Sequence, residues 1–284
     1  MTHLLKEKLG DLEINLTDRM LEQFDLYYEL LVEWNKMMNL TGITEYEEVL
    51  TKHFVDSISI VKVMDLNNVE WVIDIGTGAG FPGIPLKIVY PHLKVTLLDS
   101  LNKRIKFLDT VIAELGLANI YTMHGRAEDY AKKEEYREQY DLCVSRAVAN
   151  LSTLSEYCLP YVKVGGNFVS YKSGEIDQEV KESGKAISIL GGKVERIEKF
   201  ELSGTDISRS FVKIEKVKET GKKYPRKAGL PAKEPIKWKE SSNVSRETLL
   251  LFKFGTCTNE KTPSPIERLK SYEKINVSRE TLGG

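Results

Sequence analysis

The chain is poor in the residues that hold small or secreted folds together. Of 284 residues only Cys143, Cys158 and Cys257 are cysteine, and no two of them form a CxxC pair. So few cysteines, and an odd number of them, speak against a disulfide framework and imply reduced thiols in a cytoplasmic setting. No stretch reaches the ~20 apolar residues of a membrane span. The N-terminal "MTHLLKEKLGDLEINL" is charged throughout and lacks the apolar core of a signal peptide. Neither sign of charge dominates: 41 Lys and Arg against 42 Asp and Glu give a formal net charge of −1. Bulk charge therefore neither requires nor excludes a nucleic-acid partner, and only local basic patches can argue for one. No metal is expected.

What is present falls into two rhythms. Residues 18–38, "DRMLEQFDLYYELLVEWNKMM", carry Leu21, Phe24, Tyr27, Tyr28, Leu31 and Trp34 at helical spacing. From residue 71, short apolar strands alternate with helical stretches: "WVIDI", "KVTLLD", "NIYTMH", "YDLCVS" and "GNFVSYK". Such alternation implies parallel βαβ units with helices on both faces. The last two strand candidates, "KVERIEKFEL" and "RSFVKIEKV", are separated only by "SGTDIS", which predicts a hairpin and an antiparallel strand at one sheet edge. The expected fold is α/β, a Rossmann-like doubly wound sheet with its last strand antiparallel. It resembles the layout of class I S-adenosylmethionine-dependent methyltransferases, here behind an N-terminal helical extension. The expected divisions are a helical extension packed on the core (1–65), a catalytic domain (66–218), a basic arm (219–237) and a flexible tail (238–284). The tail contains "NVSRETL" twice, at Asn243–Leu249 and Asn276–Leu282. Its core can be encoded by a self-complementary DNA word resembling a bacterial centromere site, so the repeat is read as selection on DNA.

The stretch "WVIDIGTGAGFPGIP", residues 71–85, ends a buried-type strand in an aspartate followed by closely spaced glycines. This is where a doubly wound sheet binds a nucleotide-like ligand. Gly76, Gly78 and Gly80 allow a sharp turn and close backbone approach. Gly78, Gly80 and Gly83 also fit the dinucleotide pattern GxGxxG, so an NAD-linked oxidoreductase is the rival. Charge argues against it: Asp74 would repel a diphosphate at the helix N-terminus, and Pro82 removes an N–H there. Asp74 is instead expected to attract the ammonium group of S-adenosylmethionine, which has no phosphate. Asp99, ending the next strand, is expected to grip ribose hydroxyls. Glu128, after the third strand, is placed near the adenine, with a solvated surface role as the alternative.

The run "VIDIGTGAGFPGIPLKIVYP…VTLLDSLNKRIKFL…GRAEDY…YDLCVSRAVANL" resembles the bacterial 16S ribosomal RNA guanine-N7 methyltransferase family, RsmG or GidB. So do "WNKMMNLTGI", "KHFVDS" and "YPRKAGLPAKEP". The likeness spans about residues 20–237 and leaves the tail outside. It implies cofactor contacts from Gly76, Phe81, Asp99, Ser100, Leu101, Ala127, Glu128 and Arg146. It also implies methyl transfer to N7 of one guanine in the 530 loop of 16S rRNA or its small-subunit precursor, by a cytoplasmic monomer.

After the fourth strand stands "SRAVAN" rather than the Asn/Asp-Pro-Pro-aromatic motif that holds an exocyclic amine. Guanine N7 has a lone pair and no proton to lose, so no general base is expected. Catalysis would rest on aligning the lone pair behind the methyl carbon at about 3–3.5 Å. Arg146 could pair with a cofactor-side acid, bind a phosphate or donate to guanine O6. Asn39 is expected to contact substrate, and His53, beside Lys52, is read as packed rather than catalytic. Tyr27, Tyr28 and Trp34 are read as core, and Lys103, Arg104 and Lys106 as an exposed helix face. In "KKYPRK", Lys222, Lys223, Arg226 and Lys227 flank Tyr224, which suits phosphate contact with stacking; a solvated loop is the other reading. A small-molecule methyltransferase and a nucleotide-sensing binding protein remain open alternatives.

Overall fold

The computed structural model describes residues 2–146 and 149–238. Cys257, both NVSRETL copies and the rest of the tail lie outside the described residues. The chain begins with α1 (Thr2–Gly10) and α2 (Asp18–Met38). The Thr17 side chain accepts from Met20 N at the start of α2, and Asn39 closes it in the left-handed region at φ 48°. A short helical run follows: α3 (Tyr46–Val49), a π-helical turn Leu50–Val55, α4 (Asp56–Ile58) and a 3₁₀ turn Ser59–Lys62.

The alternating part then unfolds in order. It comprises β1 (Trp71–Ile75), α5 (Gly83–Val89), β2 (Lys94–Asp99), α6 (Asn102–Glu114), β3 (Ile120–His124) and α7 (Ala127–Tyr130). After these come β4 (Tyr140–Ser145), α8 (Leu151–Cys158), β5 (Val162–Ser173), α9 (Asp177–Ile189), β6 (Gly192–Glu201), β7 (Ser208–Lys216) and α10 (Leu230–Lys233). Gly116, at φ +59°, ends α6 as a left-handed cap.

One seven-stranded sheet results, in the order β3-β2-β1-β4-β5-β7-β6. β3 to β5 pair in parallel, with Asp74 opposite Leu97 and Asp99 opposite His124. The β6–β7 hairpin is present. β7 runs antiparallel to both neighbours and lies one place in from the edge, which β6 occupies. The chain therefore reverses strand order between β1 and β4, and the crevice at that switch opens at the carboxyl ends of the strands.

Side chains that alternate along each strand feed two cores. Val72, Val95, Leu97, Leu142, Val144 and Val169 face one, where Leu5, Leu9, Leu21, Phe24, Tyr27, Leu31 and Phe107 cover them. The N-terminal helices thus share a core with the sheet. Ile73, Leu98, Cys143 and Phe168 face the other, covered by Leu151, Leu154, Ala186 and Ile187 of α8 and α9.

Residues 219–237 pack back onto this second side rather than standing away as an arm. Arg137 donates to Tyr224 O at 3.0 Å, Thr153 Oγ1 to Pro231 O at 3.1 Å, and Ser152 Oγ to Ile236 O at 2.7 Å. Among the described residues no helix is long and apolar enough to cross a membrane.

Candidate active site

A cleft of about 600 Å³ opens at the carboxyl ends of β1, β2, β3 and β4. Of the residues expected to hold cofactor, Gly76, Gly78, Phe81, Asp99, Ser100, Ala127, Glu128 and Arg146 line it. Asp99 is almost fully buried, and its carboxylate organises the floor. Oδ2 accepts from Gly78 N at 2.9 Å and Arg104 at 3.1 Å, and Oδ1 accepts from Leu101 N at 2.9 Å. Oδ1 keeps a lone pair for a hydroxyl. Leu101 itself is not on the wall; its side chain is exposed and its amide anchors Asp99. Glu128 is buried and accepts from Gly229 N at 2.7 Å, so the segment after β7 helps to shape the cleft.

Asp74 requires a correction. Its side chain is 0 % exposed and lies beneath the loop, not among the residues that line the cleft where the sequence reading put it. Oδ2 accepts from Thr77 Oγ1 at 2.7 Å and from Gly83 N at 2.9 Å, at the first residue of α5. Oδ1 is buried without a hydrogen-bond partner among the described residues. Burial pushes this carboxyl up to about 7, against the pull of the Thr77 and Gly83 hydrogen bonds.

Most of the loop's other amides are also bonded inside the protein. Gly76 and Thr77 donate to Leu98 O, Gly78 to Asp99, Gly80 and Phe81 to Thr77 O, and Ile84 to Gly80 O. An anion site at a helix N-terminus needs free N–H groups. Here an internal carboxylate holds that place, and Pro82 contributes no N–H. The cleft wall is mixed in charge, because Arg104, Arg126 and Arg146 line it together with Asp99 and Glu128. What disfavours a diphosphate is that most donors of the turn are already engaged inside the protein, not the sign of the wall.

Arg146 is the hinge between this cleft and the N-terminal segment. Its guanidinium donates to Lys52 O and His53 O, both at 3.3 Å, to Ser57 Oγ at 3.2 Å and to His53 Nδ1 at 3.2 Å. It pairs with Asp56 Oδ2 at 3.1 Å, while Asp56 Oδ1 takes Arg209 Nε at 2.9 Å. The π turn offers these carbonyls along one face, a helix irregularity that recurs at functional sites.

With Nδ1 accepting from Arg146, His53 carries its proton on Nε2 and donates it to Thr41 Oγ1 at 2.9 Å. Burial, with the Arg146 cation beside it, lowers its pKa to about 3. His53 is therefore a neutral, packed ring, stacked on Phe81 at 4.5 Å, as its sequence context predicts. Tyr27 stacks on the same Phe81 at 5.3 Å, inside the core.

Asn39 does not line the cleft either. Its side chain is exposed, its backbone caps α2, and it lines no cavity described. Lys52 is turned to Glu48. Arg226 is engaged inside the protein: Nε and Nη2 grip the buried Glu156 at 2.7–3.0 Å, and its own amide donates to Glu156 Oε1 at 2.7 Å. It holds the segment down. Lys222, Lys223 and Lys227 are exposed, while Tyr224 packs on the second core.

Arg104 is no ordinary surface residue either, since it pairs with Asp99 on the cleft wall. Sequence reasoning also passed over Thr77, Arg126 and Tyr157 on that wall, and Asp56 and Arg209 behind Arg146. Arg104 had a signal, its place one helical turn after the strand-ending acid. Arg209 had none, being brought in by the β7 pairing.

The sheet order, the glycine turn after β1 and the acid ending β2 define a class I S-adenosylmethionine-dependent methyltransferase fold. Residues 20–212 match the model of the GidB family, described as rRNA small subunit methyltransferase G. Relatives called "Ribosomal RNA small subunit methyltransferase G" include those of Lachnoclostridium phytofermentans and Desulforamulus reducens. The first is 55% identical over 80% of this chain and 94% of its own, the second 53% over 83% and 98%. The chain belongs to this family. Similar solved structures include P. horikoshii TYW2 in complex with MeSAdo, 18% identical with a TM-score of 0.45 over 57% of this chain and 61% of that one. Another is TrmN from Thermus thermophilus, 16% identical with a TM-score of 0.45 over 59% and 53%.

Proposed function

We propose that the protein is an rRNA methyltransferase that takes its methyl group from S-adenosylmethionine and transfers it to N7 of a guanine in the 530 loop of 16S rRNA. The observation that carries the reading is the family match over residues 20–212. The cleft fits the cofactor by its donor set. Asp99 Oδ1 and Ser100 would hold the ribose, and Ala127 and Glu128 would border the base. Arg104 and Arg126 bring positive charge near Asp99 and Glu128, a mixed wall suited to a ligand that carries charges of both signs. When bound, S-adenosylmethionine supplies a methyl group activated on a sulfonium.

The residues of the chain then act by placement. Phe81, clamped between Tyr27 and His53, fixes the loop end of the cleft. Arg146, held by four acceptors and Asp56, presents a rigid cation at its rim. His53 has both ring nitrogens engaged and cannot take a proton from substrate. An N7 nucleophile has no proton to give, so this arrangement supports in-line displacement without a general base. RNA would approach through the exposed Lys222, Lys223 and Lys227. Mass spectrometry of 16S rRNA from a strain lacking the gene tests the assignment. Loss of one N7-methylguanine from the 530 loop is expected, and its persistence refutes it.

A further inference from the structure

A second cavity, of about 590 Å³, adjoins the cleft and shares Arg146 and Ala149 with it. Its size is that of a ligand pocket. Its walls come from the ends of β5 (Lys172), the start of α9 (Glu179) and the start of β7 (Arg209), beside Asp56. We propose that this cavity receives the target guanine, and that Glu179 reads the N1–H and 2-amino edge of the base. The proposal rests on the guanine-N7 reading above.

Two carboxylates line the cavity, and they differ. Asp56 is buried and has both oxygens bound, one to Arg146 and one to Arg209. Glu179 is partly exposed, and only its Oε1 is engaged, by Lys172 Nζ at 2.7 Å and Leu151 N at 2.5 Å. Its Oε2 has no hydrogen bond among the described residues. Lys172 is held in turn by Ala149 O, so the carboxylate stands fixed next to the residue shared by both cavities.

Guanine alone among the four bases offers two adjacent N–H donors on its Watson–Crick edge, which the two lone pairs of Glu179 Oε2 accept together. That edge lies across the ring from N7, so gripping it at Glu179 turns N7 toward Arg146 and the cleft. The charge logic agrees. The base gains a methyl group and a positive charge at N7 and loses no proton. Its N1–H becomes more acidic, and the bond to Glu179 strengthens as the reaction proceeds. That is stabilisation of the transition state over the ground state.

Inosine keeps N7 and lacks the 2-amino group. Small subunits reconstituted with guanine or inosine at the target position are methylated in single turnovers by the wild type and by Glu179→Gln, with the N7-methyl product read by mass spectrometry. The wild type should prefer guanine by about ten- to a hundredfold, the range for a hydrogen bond to a charged group. In E179Q that ratio should fall to near one. A structural role for Glu179 lowers both rates and leaves the ratio unchanged, which overturns the proposal. A wild-type ratio near one also overturns it, and needs no variant to fold. If the wild type makes no N7-methylguanine even on the guanine particle, it is the underlying functional reading that fails.

Discussion

Arg226 looks like an RNA contact in the sequence and is a fastening in the structure, and Arg226→Ala separates the two. Glu156 is 0 % exposed, and three of its four hydrogen bonds come from the Arg226 guanidinium. Removing one partner of a buried pair typically costs about 3–5 kcal/mol, because a charge is left uncompensated. The amide of residue 226 still donates to Oε1, which points to the lower end, about 3 kcal/mol. For a domain of this size each kcal/mol moves the midpoint by roughly 2–4 °C. Thermal denaturation should therefore show a drop of about 6–12 °C, and Glu156→Gln in the same background should restore part of it. Cofactor affinity should fall too, because the segment that Arg226 anchors carries Gly229, whose amide holds Glu128. An unchanged midpoint together with weakened RNA binding would refute the reasoning and return Arg226 to the RNA surface.

The exposed lysines should behave in the opposite way. Lys222→Glu with Lys223→Glu should leave the midpoint within about 1 °C, since surface changes are nearly neutral, and weaken RNA binding with a shallower salt dependence in filter binding. Asp74, with its pKa raised to about 7 in the fold, binds its proton more tightly folded than unfolded. It therefore makes stability fall as pH rises from about 4 to 7, by an amount of order 3–4 kcal/mol. In Asp74→Asn that slope should vanish from urea denaturation series, and an unchanged pH profile would show that the group is not buried. Gly80→Ala should abolish cofactor binding measured by calorimetry. Its φ is +98°, and an added Cβ would lie 2.6 Å from Ile84 Cδ1 and 2.7 Å from the Tyr27 hydroxyl.

The strands and the glycine turn were legible because they are local. Apolar runs bounded by Gly or acids became β1 to β5, and the helical spacing over residues 18–38 became α2. α9 was not announced, because its buried face is small: Ser183 and Ala186 with Ile187 leave little periodicity. Positions of charged groups were the weak point. Asp74 and Asp99 end adjacent strands in the same type of sequence context, yet one lies under the loop and one on the cleft floor. Which side of the turn a carboxylate faces depends on where α5 begins, and that is settled by packing. Arg226 was misread because its partner, Glu156, is 70 residues away in sequence. His53 was legible as a packed ring because methyl transfer to a lone pair that carries no proton needs no general base.

The central claim is that the turn after β1, whose amides at Gly76, Thr77, Gly78, Gly80, Phe81, Gly83 and Ile84 are bonded inside the protein, serves a phosphate-free nucleoside rather than a diphosphate. Isothermal titration of the purified protein with S-adenosylmethionine and, separately, with NAD measures this directly. Saturable binding of the first and none of the second is predicted; tight binding of NAD with no heat from S-adenosylmethionine would contradict the account.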